Sequence, residues 1–214
     1  MISFQLTEEQ EVVREAMREF GQQAMAPIAR DCDESSSIPE DFLASAWDLG
    51  LAFTQVPEEF GGAGERSPIT NALLLEELAA GDAALAVAAL APSAFVNAIV
   101  DQGTEEQKAE YLPAFCGDTF TTASLACIEP VALGDPAKPR AVAEEKGETF
   151  VISGRKSFVL FGDRATHFLV IARNGGGVDA FIVPRDAKGL TISDPELNMG
   201  MKGLTTSTLD LEQV

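Results

Sequence analysis

The hydrophobic pattern of this chain changes period once. In the first half apolar positions recur at helical spacing, and from Thr119 they fall in short β-branched and aromatic runs separated by turns. Thr7-Glu8-Glu9-Gln10 has the form of a capping box, in which the Thr hydroxyl accepts from the N3 amide while Gln10 reaches back. Behind it Val12, Val13, Met17, Phe20 and Met25 recur at mostly three- to five-residue steps and mark one buried helix face. Asp31 to Ser37 reads as a polar connector. Ile38-Pro39-Glu40 then opens a helix carrying Phe42, Leu43 and Trp47, which Gly50 ends. Ser67-Pro68 starts a helix with Leu73, Leu74, Leu75 and Leu78, and another apolar helix runs from about Ala83 until Gly103 closes it. Thr104-Glu105-Glu106-Gln107 repeats the capping box ahead of a short helix through Tyr111 and Leu112, which Pro113 to Gly117 stops.

In the second half, Phe150-Val151-Ile152, Phe168-Leu169-Val170-Ile171, Ala180-Phe181-Ile182-Val183 and Leu190-Thr191-Ile192 are strand candidates. Glu145 to Glu148, Asn174 to Gly177 and Asp186 to Gly189 are the turns between them, and Ser207, Leu209 and Leu211 add one more strand. The pattern therefore predicts an α+β chain, with residues 1–117 an amino-terminal all-α bundle and residues 118–214 a small antiparallel β-barrel. Two stretches stand at and just beyond the change of period: Ser124-Leu125-Ala126-Cys127-Ile128-Glu129-Pro130 and Gly154-Arg155-Lys156-Ser157-Phe158-Val159-Leu160. A junction between layers is where a pocket is most easily built, so both are expected to face a flat, mostly apolar ligand. The chain reaches Val214 without a cap or polar tail, as expected of a piece of a longer protein.

A net charge of −19 argues against a nucleic-acid or anionic-membrane partner, because phosphates would be repelled. Cys32, Cys116 and Cys127 are odd in number and show no CxxC spacing, which disfavours a disulfide framework or structural zinc and fits a reducing cytoplasm. Met1-Ile2-Ser3-Phe4 lacks the basic start and apolar run of a signal peptide. Ala83 to Val100 is apolar enough to raise the question of a membrane span. Pro92, Ser93 and Asn97 interrupt it, and no basic flank follows, so a buried core helix is the better reading. Pro57 to Gly64 contains a glycine cluster, but no strand leads into it and no Lys-Ser/Thr follows; a plain turn accounts for it better than a phosphate loop.

The segments Pro57-Glu58-Glu59-Phe60-Gly61-Gly62-Ala63-Gly64, Leu75-Glu76-Glu77-Leu78, Gly103-Thr104-Glu105-Glu106-Gln107-Lys108, Tyr111-Leu112-Pro113, Glu129-Pro130, Gly154-Arg155-Lys156, Phe181-Ile182-Val183-Pro184 and Met199-Gly200-Met201-Lys202-Gly203 occur in an order that resembles acyl-CoA dehydrogenases over nearly the whole chain. The resemblance implies a helical domain and a β-barrel middle domain with FAD and an acyl-CoA thioester between them. It also implies a carboxy-terminal helical domain that would begin where this chain ends, carrying the glutamate base and completing an oligomer. The implied flavin contacts fall on Leu125, Cys127, Ile128, Gly134, Phe158, Val159 and Leu160, and the implied substrate contacts on Leu133 and Gly134.

Oxidising a Cα–Cβ bond beside a thioester needs a base for the α proton, a flavin for the β hydride and a polarised carbonyl. The chain departs from the family pattern where those contacts concentrate. Ile128 stands where the family has threonine before Glu-Pro, Leu133-Gly134 where it has Gly-Ser, and Phe158-Val159-Leu160 where it has Trp-Ile-Thr. Phe for Trp keeps a face for stacking, whereas Ile and Leu for Thr each lose a hydrogen bond, so weakened or lost FAD binding is expected. Glu129 reads as a structural turn residue and His167 as a packing residue, leaving no catalytic residue and no metal ligand assigned. Three classes of function follow: an FAD-dependent acyl-CoA dehydrogenase, a non-catalytic partner subunit that has lost FAD and pairs with a homologous subunit, and a module that binds acyl-CoA without oxidising it. Without the carboxy-terminal helices an apolar face is expected to lie uncovered on the barrel side or beside the Ala83–Val100 helix, which predicts a homo-oligomer or a heteromer with a homologous subunit.

Overall fold

A computed structural model describes residues 5–214; Met1 to Phe4, read above as lacking a signal peptide, lie outside the described residues. Both predicted capping boxes form. At α1 (Glu8–Phe20) the Thr7 hydroxyl accepts from the Gln10 amide at 3.2 Å, and the Thr7 amide donates to the Gln10 side chain at 3.1 Å. The same reciprocal pair opens α6 (Glu105–Tyr111), satisfying two amides that a helix start would otherwise leave bare. Between them lie α2 (Ala29–Ser35), α3 (Glu40–Trp47), α4 (Pro68–Gly81) and α5 (Ala83–Gln102). Ser67 caps α4 as its sequence implied, with Pro at the helix start.

Two expectations differ from the structure. The stretch read as a polar connector forms α2, whose polar face is solvated and which buries Cys32 alone. Val12 is 70% exposed and not on the buried face, because α1 presents Met17 inward and the path continues as a π-turn over Gly21–Met25 that carries Met25 into the core. On α4 Leu74 and Leu78 are buried and Leu75 is exposed.

The helix that raised the membrane question, α5, is long and apolar enough to span a bilayer, yet half of its most apolar window is packed inside the fold. Pro92 within it removes one backbone hydrogen bond and costs about 3 kcal/mol. Leu85 and Phe95 are fully buried on either side, and at about 1.5–3 kcal/mol each they offset that cost. The first half of α5 belongs to the helical core with Leu43, Leu78 and Phe161; the second half packs Phe95, Val96 and Ile99 against Phe115 and Leu169. One helix thus ties both halves of the chain together.

The strands are β1 (Ser124–Ala126), β2 (Val142–Lys146), β3 (Thr149–Leu160), β4 (His167–Asn174), β5 (Gly177–Pro184), β6 (Leu190–Ile192) and β7 (Thr206–Leu211), in the order β1-β4-β2-β3-β7-β6 with β5 also on β4. The class is α+β, but the sheet is mixed rather than purely antiparallel: β1 and β2 each run parallel to β4. The chain crosses over between these strands instead of turning back directly, and parallel neighbours require such a crossover. β2, with three charged residues in five, carries no strand signature and was not anticipated. Phe150-Val151-Ile152 and Gly154 to Leu160 are one continuous strand, β3.

Gly81 closes α4 against the π-turn. A Cβ there would lie 2.5 Å from the Gly21 carbonyl oxygen and 2.8 Å from its Cα, both backbone atoms with little room to retreat. Gly81→Ala should destabilise the protein by about 1–3 kcal/mol through overpacking. Urea unfolding checks this, and an unchanged midpoint would show that α1 and α4 can separate freely.

Candidate functional site

The crossing of α5, β1 and β3 leaves a cleft of about 580 Å³, within the range of small-molecule sites. Val87, Ala91 and Ala94 of α5 form one wall, and their small side chains leave room between helix and sheet. Ser124, Leu125, Cys127 and Ile128 form the second, and Phe158 and Leu160 the third. The segment from Asn198 to Thr206 closes the remaining side with Met199, Met201 and Leu204.

Phe158 reaches the cleft by a backbone irregularity. The β3–β7 register slips between Lys156 and Val159, and Phe158 takes a left-handed φ of 52°. A bulge re-aims a side chain, and here it leaves the ring 54% exposed at the cleft while Val159 is buried in the sheet core. Holding a bulky residue at such a φ costs roughly 1–3 kcal/mol and persists only when its surroundings enforce it.

Behind the cleft a buried ion pair joins two walls. Lys156 Nζ, with its side chain 0% exposed, lies 2.8 Å from Glu129 Oε1. The same carboxylate accepts from the Arg140 and Ala141 amides at 2.8 Å each. Burial pulls the Glu129 pKa upward, but the hydrogen bond from Lys156 and then the Ala141 and Arg140 amides outweigh it and hold the carboxyl below its ordinary value. Glu129 is therefore an ionised structural anchor, the opposite of a base tuned upward. His167 lies at the start of β4, its ring 5.2 Å from that of Tyr111, and takes a packing role. Among the described residues no cluster of metal ligands exists. Cys32, Cys116 and Cys127 are all free; burial raises the thiol pKa of Cys32, aided by Asp82 and Asp31, and that of Cys116.

Of the residues named from the sequence, Leu125, Cys127, Ile128, Phe158 and Leu160 meet in this cleft. Gly134 lines a separate cavity of about 90 Å³ that shares Cys127 and Ile128. Val159 turns its side chain into the sheet core. Leu133, 101% exposed at a φ of 55°, lines neither cavity. The α5 wall and the segment from Asn198 to Thr206 carry no site signal in the sequence beyond the Met199-Gly200-Met201 motif.

Comparison with known proteins agrees with this architecture. Residues 7–118 match the family model for the acyl-CoA dehydrogenase N-terminal domain, and residues 124–214 match that for the middle domain. A probable medium-chain specific acyl-CoA dehydrogenase of Caenorhabditis briggsae is 33% identical over all of this chain and 54% of its own length. The probable acyl-CoA dehydrogenase YngJ of Bacillus subtilis is 34% identical over all of this chain and 57% of its own. Among solved structures, butyryl-CoA dehydrogenase from Megasphaera elsdenii superposes with a TM-score of 0.86 at 26% identity, over 100% of this chain and 58% of that one. A glutaryl-CoA dehydrogenase from Mycobacterium smegmatis, in complex with FADH2, gives 0.86 at 25% identity over 98% of this chain and 54% of that one. The chain spans about half the length of the curated relatives it matches. With both family models matched in order and the cleft formed between the two matched regions, the chain belongs to the acyl-CoA dehydrogenase family.

Proposed function

We propose that this chain supplies the flavin-side half of an acyl-CoA dehydrogenase-type site, in a protein that oxidises the Cα–Cβ bond of an acyl-CoA thioester with FAD as hydride acceptor. The observation that carries the reading is the convergence of the 124–128 and 158–160 stretches on one apolar cleft beside α5. When bound, FAD supplies the oxidant; the chain's own part is to orient the ring, exclude water and place apolar surface beside it. No described residue is assigned as the base.

The cleft suits the faces of a flavin ring better than its polar edge. Phe158 offers an aromatic surface, and Leu125, Ile128 and Leu160 offer apolar walls. The polar side chains that line it are engaged within the protein. The Ser124 hydroxyl donates to the Leu160 carbonyl, the Asn198 amide to the Thr206 hydroxyl, and Thr206 to Glu196. Ile128 and Leu160, standing at the family's threonine positions, have no hydroxyl to give. That observation favours a second reading, a partner subunit that keeps the fold, has lost FAD and works beside a homologous flavoprotein. Exposed Leu125, Ile128, Phe158 and Met201 around the cleft suit association with itself or with such a subunit. The three free cysteines suit a cytoplasmic setting.

Flavin absorbance of the purified protein tests the reading. Bound FAD near one per chain, or saturable uptake of added FAD, supports the dehydrogenase. A colourless protein that takes up no FAD but copurifies with a homologous flavoprotein supports the partner subunit. Thermal stabilisation by acyl-CoA without FAD would leave only a binding module.

A further inference from the structure

The left-handed backbone at Phe158 needs something to hold it: the neighbouring Ser157 amide donates to the Ile128 carbonyl at 2.9 Å, and the Phe158 amide itself turns to a side chain. The Phe158 amide, displaced from the ladder by the bulge, donates to Glu196 Oε2 at 3.2 Å. The same oxygen accepts from the Thr206 hydroxyl at 2.8 Å, and Glu196 Oε1 accepts from the Thr208 hydroxyl at 2.7 Å. The Glu196 amide donates in turn to the Thr206 carbonyl at 2.8 Å, and Asn198 donates to the Thr206 hydroxyl at 3.2 Å. One carboxylate outside the cleft therefore gathers three donors, from β3 and from two hydroxyls of β7, while two of the residues tied to it, Phe158 and Thr206, line the cleft. A carboxylate is an acceptor only, and bonds from neutral donors to an ionised oxygen are the strong ones, so this group suits the task of fixing a strained amide.

We propose that Glu196 is a positioning residue: it anchors the Phe158 amide so that the phenyl ring stands as a fixed stacking face for a flat ligand in the cleft. The proposal rests on the reading of the cleft as the seat of a flavin ring, but its first consequence concerns the backbone alone. Without the carboxylate the bulge loses the partner of its displaced amide and the ring loses its fixed direction. The ligand would then have to order the ring on binding, which weakens affinity without removing a single direct contact.

Hydrogen exchange and FAD titration together test this on the whole chain. In Glu196→Ala the amide of Phe158, read in peptides covering residues 156–160, should exchange faster than in the parent protein even without ligand. FAD, followed by fluorescence, should bind about tenfold more weakly. Glu196→Gln keeps an acceptor oxygen toward Phe158 and should restore affinity to within about threefold. In a Phe158→Ala background, Glu196→Ala should cost no further affinity, because the ring it orients is gone. If Glu196→Ala fails to fold, Glu196→Asp, which withdraws the carboxylate by one carbon, takes its place in each arm. Unchanged exchange at Phe158, or an equal loss of affinity with and without the ring, overturns the proposal. If the parent protein binds no FAD the dehydrogenase reading falls, and the exchange result alone then decides whether Glu196 holds the bulge.

Discussion

Ile128→Thr combined with Leu160→Thr should tighten FAD binding by about one to two orders of magnitude. Both side chains line the cleft, and both are partly exposed to it, so each new hydroxyl would face the ligand rather than the core. A net hydrogen bond contributes about 0.5–1.5 kcal/mol, and more where it relieves a buried ligand atom left unpaired. Two of them give about 1–3 kcal/mol, a factor of roughly 5 to 150 in the dissociation constant. Ile128 is exposed, but Leu160 is half-buried and packs against the helical core, so the pair should also lower the unfolding midpoint somewhat, and affinity is compared where both proteins are fully folded. Isothermal titration of FAD into the double variant and the parent checks the result. Equal affinities would mean that the ring, if it binds, does not turn its polar edge toward these two walls.

Lys156→Ala should destabilise the protein by about 3 kcal/mol, a large share of a typical net stability. The loss comes from stranding Glu129, which keeps the Arg140 and Ala141 amides but has no countercharge in a site where its side chain is only 8% exposed. Replacing both partners together, Lys156→Met with Glu129→Gln, should cost less than Lys156→Ala alone, since no unpaired charge remains. The same anchor predicts a pH response. Glu129 has a folded pKa below its ordinary 4.5, so its contribution is fully present above about that value and is lost as pH falls through the folded pKa. Urea unfolding between pH 7 and pH 3 should show a steeper loss in the parent than in the double variant. Parallel pH profiles would show that the pair does not govern acid stability.

How much of this was legible depended on whether the controlling contacts were local. Thr7, Ser67 and Thr104 announced their helices because a cap is settled within four residues, and all three caps form. The strands through Phe168 and Phe181 were legible because their apolar runs are long enough to outweigh their flanks. β2 was hidden because Glu144, Glu145 and Lys146 face solvent and only Ala143 is buried, so its strand state comes from pairing with β3 rather than from its own residues. The two walls at Ile128 and Phe158 were anticipated, but the third and fourth were not. Small residues on α5 look like ordinary helix filler, and the role of Glu196 depends on a bulge that no residue pattern discloses.

The parallel pairing of β1 with β4 bears on the order in which the chain acquires its cleft. Ser124 pairs with Phe168, and both β2 and β3 lie between them along the chain. The helices and the β2–β3 and β4–β5 hairpins are short-range and can appear early, whereas this long-range closure carries a larger loop entropy and comes late. A partly folded chain would thus hold most of its secondary structure and no binding site. Refolding followed by helix signal should finish before the Leu125 and Phe158 walls face each other, so a ligand of the cleft acts on the last step of folding and not on the first.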